Sequence, residues 1–273
     1  MLLHLQTVPA RNGLLWIRHG FKVFQRKPMA MSGLFSVFLF AAFVLLMVPV
    51  VGVVLLLMSL PLLTLGFMLA THQVLQDQTP TMSVYIAPLK ITRERRNAQL
   101  LLCAVYALAT LLISLLSEWI DNGSFDALQK LVADGAPADQ IAAAAANPQL
   151  FWGALSRLGL AALLSVPFWH APALIHWGGQ GLMQALFSST VALWRNRAAF
   201  AWNALIWMSI VLCLGLGLGL LTSLLGIGQL LPLLAVPLGL FLSTVFYASL
   251  YFTFVDCFMS GTPEDLLSDK TSA

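Results

Sequence analysis

The chain has 273 residues, of which 59% are hydrophobic and 9% charged, and a formal net charge of +3. Soluble domains carry about 25% charged residues, so this composition excludes an ordinary soluble globular protein and suits a chain dissolved in a bilayer. Cys103, Cys213 and Cys257 are odd in number, lack CxxC spacing and sit in or at the ends of apolar runs. They argue against a disulfide framework and read as packing residues.

In residues 13–27, helical periodicity puts Arg18, Lys22 and Arg26 on one arc with His19 and Gln25. Leu14, Trp16, Ile17, Phe21, Val23 and Phe24 lie opposite. This pattern fits a helix lying in the membrane interface, and equally an amphipathic helix packed on the protein's own spans. The first long apolar run starts only near Met29 and is followed at once by a second, so a retained span is expected rather than a cleaved signal peptide.

Residues 29–71 hold no charge. About 20 residues cross a bilayer, so two spans are expected, 29–48 and 52–71, with a turn near Pro49 to Gly52. Pro61 and Gly66 inside the second should kink it or admit a close neighbour. A polar connection then ends in Lys90, Arg93, Arg95 and Arg96. After a third span, 97–117, the outer loop 118–150 sets Glu118, Asp121, Asp126, Asp134 and Asp139 against Lys130, with turns signalled at Asp121-Asn122-Gly123 and Gly135-Ala136-Pro137.

The fourth span is expected over 151–175, with Arg157 near its outer end, placed to snorkel to headgroups, and Trp169 and Trp177 flanking its inner end. A second amphipathic helix follows. Leu182, Met183, Leu186, Phe187, Leu193 and Trp194 fill one arc, with Gln184, Ser188 and Arg195 opposite, and the apolar arc is expected in the headgroup layer. Spans 201–225 and 229–255 come next, then an acidic cytoplasmic tail, 256–273.

Arg11, Arg18, Lys22, Arg26, Lys27, Lys90, Arg93, Arg95, Arg96, Arg195 and Arg197 fall on one side of this plan, eleven of the 14 cationic residues. The positive-inside rule makes that side cytoplasmic, with both termini inside. The expected fold is all-α: a single integral membrane domain over 1–273, with six transmembrane helices as three hairpins preceded by amphipathic cytoplasmic segments. Phe24-Gln25-Arg26-Lys27 aligns with Trp194-Arg195-Asn196-Arg197, which marks two copies of a unit made of an amphipathic helix and a two-span hairpin. A weaker third copy ends at Arg93 to Arg96.

Val8-Pro9-Ala10-Arg11-x-Gly13-x-x-Trp16, Phe24-x-x-x-Pro28, Phe168-Trp169-His170-Ala171-Pro172-Ala173-Leu174, Trp194-Arg195-Asn196 and Tyr251-Phe252-Thr253-Phe254-x-Asp256-Cys257-Phe258 span residues 8–258. In these the chain resembles an uncharacterised family of six-span inner-membrane proteins from beta-proteobacteria. More distantly, the units look like the membrane domain that accompanies some glycerophosphoryl diester phosphodiesterases, whose catalytic domain has no counterpart here. The resemblance implies an inner-membrane location and fold but no known activity, and it carries over no functional residues.

His170 and His176 invite a metal reading. Six helical residues put them about 240° apart in phase and Pro172 intervenes, so they read as interfacial anchors rather than ligands. Asp256-Cys257 suggests a proton or thiol site, but an aspartate at a span's end is expected to reach water. Gly215, Gly217 and Gly219 read as helix-packing positions. No carboxylate pair, nucleophile with its base or metal cluster stands out, so a non-enzymatic role is expected, lipid-organising or as a partner subunit. A transporter or flippase for an apolar or lipid-like substrate is the alternative. The expected partners are membrane lipids, anionic by the charge of the inner face, held by Arg18, Lys22, Arg26, Arg195 and Arg197, together with a protein partner or a second copy of the chain. No nucleic acid, cofactor or metal is expected.

Overall fold

The computed structural model describes residues 4–259. Twelve α-helices make up the architecture, with no strand among the described residues. Six segments are long and apolar enough to cross a membrane. They are α2 (Pro28–Leu46), α3 (Val51–Leu75), α5 (Arg93–Asp121), the pair α8 (Pro148–Phe168) and α9 (Ala171–Gly178), α11 (Arg197–Leu224) and α12 (Leu231–Phe258). The all-α polytopic membrane class expected from the sequence is what the chain adopts. The remaining helices are α1 (Asn12–Arg26), α4 (Ser83–Ile86), α6 (Ser124–Ala133), α7 (Ala138–Ala145) and α10 (Leu182–Arg195).

Local chemistry sets the breaks. Pro28 starts α2 where its missing N–H costs nothing. The first hairpin turns at Met47 to Val50, close to its expected place, and Gly52 packs directly on the Leu45 carbonyl, where a Cβ has no room. Asn122 and Gly123 both take left-handed backbone to end α5 and start α6. The fourth span differs from expectation: it breaks at Trp169 and His170. Pro172 cannot donate to the preceding turn, and Ser189 of α10 serves the gap instead, accepting from His170 N at 3.1 Å and donating to the Val166 carbonyl at 2.9 Å. The third span also runs longer than expected, from Arg93 to Asp121.

The three hairpins α2–α3, α5–α8 and α11–α12 meet over only part of their length. At one end the second half of α12 is enclosed, with Val245, Ala248, Phe252, Phe254 and Cys257 fully covered. α3 supplies Leu65, Phe67 and Met68 to the same core, α5 supplies Leu102, and α9 supplies Leu174 and Ile175. At the far end the helices stand exposed, including Phe40 and Phe43 of α2, Leu112 and Leu115 of α5, Leu158 of α8, Leu216 and Leu220 of α11, and Leu233 and Val236 of α12. In hydrocarbon such surface is satisfied by lipid, so only the end where the helices converge has to pack.

Each amphipathic segment packs on a hairpin of another unit. α1 lies antiparallel along α12, with Trp16 level with Asp256, His19 with Phe252 and Phe24 with Phe241, and it also contacts α11. α10 packs on α8. α4 packs on the first hairpin, where the Tyr85 ring lies over Gly66 and its hydroxyl donates to the Leu34 carbonyl at 2.9 Å. Burial raises the Tyr85 pKa, with the nearby Tyr247 phenol adding to the effect. The three units are therefore laced in a ring, the first leaning on the third, the third on the second and the second on the first.

This packing settles the two readings of α1 in favour of the protein's own spans. Gly13 and Gly20 are the points of closest approach. A Cβ on Gly13 would meet the Ala199 carbonyl and the Asn203 backbone, and one on Gly20 the Val245 carbonyl at 2.8 Å. His19 is buried beside Phe252 and leaves the basic arc, while Arg18 and Lys22 stay exposed. In α10 the expected apolar arc divides. Leu182, Leu186 and Leu193 pack inward with Ala185, Ser189 and Ala192, and only Met183, Phe187 and Trp194 face outward. Gly215, Gly217 and Gly219 meet no neighbour, so their small size serves no packing within this chain.

Candidate functional site

The three hairpins close around a cavity of about 150 Å³. Leu60, Pro61 and Thr64 come from α3, Tyr106 from α5, Ser165, Phe168 and Trp169 from the end of α8, and Phe246, Tyr247 and Leu250 from α12. No charged side chain lines it. Part of its small polar content is turned away from the space: Thr64 bonds the Leu60 carbonyl of its own helix at 3.2 Å and Ser165 bonds that of Ala162 at 2.7 Å. A second space of about 600 Å³ separates α11 from α12, walled by Ala204, Trp207, Met208, Val211, Leu242 and Ser243. The two share Phe246 and Tyr247, which line both spaces. Walls of this kind suit an acyl chain, which needs apolar contact and brings no charge.

Beneath the cavity a polar layer ties the ends of the chain together. Asp256 is buried within the last turn of α12, where its Oδ2 accepts from Trp16 Nε1 at 2.7 Å and from Asn12 Nδ2 at 2.9 Å. It is not the water-reaching start of a tail. Residues 256–258 are helical, and the tail expected beyond them lies outside the described residues from 260 onward. Gln6 N and His4 N donate to the Cys257 and Phe258 carbonyls at 2.9 and 3.1 Å, satisfying groups that a helix end leaves open. Asn196 accepts from Val8 N at 2.8 Å and donates to the Gln6 carbonyl at 3.0 Å, and Asn203 donates to the Gly13 carbonyl at 2.9 Å. Asn203 sits in an apolar helical run, the one sequence signal that would have found it, whereas Asn196 stands between two arginines at the α10–α11 junction and gives no such signal.

The two histidines do not form an interfacial pair. His170 is fully buried, its Nε2 3.0 Å from Thr253 Oγ1 and its ring among Phe200, Phe254 and Phe258. Its role as a surface anchor is thereby corrected. His176 is half-buried, and its carbonyl accepts from Arg95 at 3.0 Å. Among the described residues no group of three or more His, Cys, Asp or Glu is placed to hold a metal. Cys103 and Cys257 are buried as expected of packing residues, whereas Cys213 is exposed on α11.

The five basic residues expected to meet headgroups lie on α1 and at the junction of α10 and α11. Arg18 and Lys22 are exposed on α1 and Arg26 is half-buried at its last turn. Arg195 is exposed, with Nε donating to Thr7 Oγ1 at 2.9 Å, and Arg197 lies over the Trp194 ring, 5.4 Å from its centre. Arg157, expected to snorkel, is instead held at the far end by Asp121 at 2.9 Å and stacks over Phe125.

The chain is similar to a protein of Burkholderia thailandensis named a probable inner membrane protein, with 29% identity over 258 residues, covering 94% of each chain. No family model matches the chain, and no solved structure matches it. Together with the six apolar helices, this likeness supports a multi-pass inner-membrane location. It does not extend to the membrane domain associated with phosphodiesterases.

Proposed function

We propose that the protein is a non-enzymatic lipid-binding component of the inner membrane, which seats acyl chains between its three hairpins and gathers anionic headgroups along its basic end. One observation carries this reading: the space where all three hairpins meet has apolar walls and no charged residue. A path for a polar or ionic substrate would show paired polar or charged groups at that depth. The basic residues Arg18, Lys22, Arg26, Arg195 and Arg197 each attract anionic lipid by about 1 kcal/mol near the surface. In this reading both termini and the basic loops are cytoplasmic, residues 118–150 are outside, and the chain acts as one integral unit.

The test is lipid mass spectrometry of the full chain purified into nanodiscs. Bound lipid enriched over the bulk extract is expected, with less in Ser165→Trp, which fills the cavity, and a smaller anionic share when all five basic residues become glutamine. Bound lipid with the composition of the bulk in every variant would overturn the proposal. The shared wall of Phe246 and Tyr247 favours a second reading, in which a lipid moves from the central cavity to the α11–α12 space. Transfer of labelled lipid between leaflets of reconstituted vesicles, slowed by Tyr247→Trp, would distinguish moving a lipid from holding one.

A further inference from the structure

A separate cavity of about 510 Å³ lies where the start of α5 meets the turn between α9 and α10. Arg95 forms its wall and is held in place: Nη1 donates to the His176 carbonyl at 3.0 Å, and Nη2 and Nε lie 2.9 and 3.2 Å from where a Cβ on Gly179 would sit. Gly179 has φ +64°, so glycine suits this position on two counts. Among the described residues no carboxylate pairs with Arg95. Thr92 and Gly181, also on the wall, precede two helices, α5 and α10, that begin without a side-chain cap, so their first N–H groups are open.

The polar groups around this cavity are short of partners. Gln180 is on the wall with its Oε1 buried and unbonded. Gln99 sits one turn beyond Arg95 on the same face of α5, fully buried, with neither end of its amide bonded. His176 Nδ1 is buried and unbonded as well. Buried polar groups are normally paired, so the open Gln180 Oε1 on the wall, with unbonded Gln99 and His176 close to wall residues in sequence, points to a missing polar ligand. The guanidinium fork and two open helix starts select phosphate oxygens. Glu94 on the same wall opposes a plain anion and offers an acceptor to an ammonium group.

From this we infer that the cavity binds a phosphate ester bearing a primary ammonium, the chemistry of an ethanolamine phospholipid headgroup or of soluble phosphoethanolamine. Arg95 and the helix starts take the phosphate, Glu94 takes the ammonium, and Gln180 Oε1 accepts a further hydrogen bond from the ammonium. This rests on the lipid-binding reading only where the source is a lipid. The full chain is placed in nanodiscs of ethanolamine, glycerol and choline phospholipids in equal parts, and the lipid retained after detergent exchange is identified. In parallel, soluble phosphoethanolamine and inorganic phosphate are titrated into the protein.

Wild type should retain the ethanolamine lipid preferentially, because a choline group has no N–H to give Glu94. Arg95→Gln should lose this retention by about tenfold or more, Arg95→Lys should keep part of it, and exposed Arg93→Gln should leave it intact. Glu94→Gln should erase the preference over glycerol lipid. Saturable binding of phosphoethanolamine without lipid retention would assign the soluble source. Equal retention of all three lipids by wild type, with no binding of the soluble ester, would overturn the inference. Ser165→Trp separates the two readings, since it should lower total bound lipid without changing headgroup preference.

Discussion

Trp16 donates its indole N–H to Asp256 at 2.7 Å, across 240 residues, and joins the first helix of the chain to the last. The carboxylate also takes Asn12, so α1 is fixed at its start by charge-assisted bonds that lipid cannot replace. Trp16→Phe keeps the ring and removes the donor. It should lower stability by about 1–3 kcal/mol, read as an earlier thermal transition in detergent. An unchanged transition would mean the bond does not hold α1 in place.

The side of α1 that faces the protein can be mapped directly. In a background without the three native cysteines, single cysteines at 18 and 22 should react quickly with a water-soluble maleimide and those at 17 and 23 slowly. Equal rates would place α1 off the bundle. On α10, positions 183, 187 and 194 should be open to lipid-soluble quenchers, and 185, 189 and 192 protected.

The ion pair of Asp121 and Arg157 couples α5 to α8 at the far end, and Asp121 has no exposure to solvent. Arg157→Gln leaves a buried carboxylate uncompensated and should cost on the order of 3 kcal/mol. Gly153→Ala should also destabilise, because its Cβ would come within 2.6 Å of the Asp121 carboxylate. If both variants unfold with the wild type, the pair does not fasten this hairpin.

His170→Ala removes a ring packed among three phenylalanines and should cost about 2–4 kcal/mol through the cavity it leaves. Metal content of the purified protein should be the same before and after the change. Stoichiometric metal lost in the variant would revive a ligand role.

Much of the fold was legible because span length and hydrophobicity are local properties. The turn near Gly52, the α5–α6 turn at Asn122-Gly123 and the six apolar segments follow from residues close in sequence. Amphipathic arcs were less readable. The same apolar stripe serves a lipid surface or another helix, so α10 was expected to face lipid with Leu186 and Leu193, which in fact pack inward. His170, His19 and Asp256 were misplaced for a related reason: a polar residue near a span's end is expected in water unless its partner is known, and Thr253, Phe252 and Trp16 are distant in sequence. The central cavity left no sequence signal, because its walls are ordinary apolar residues brought together from four helices.

The lacing of the units also orders the making of the protein. α1 is synthesised before the surface it rests on, which belongs to α11 and α12. Trp16, Ile17 and Val23 must therefore wait for four intervening spans before their permanent neighbours arrive, whereas α4 and α10 each find the hairpin they rest on already inserted. The ring is shut only when the C-terminal end of α12 arrives and receives Gln6, Asn12 and Trp16. Any chain stopped before that point has an unlatched first helix.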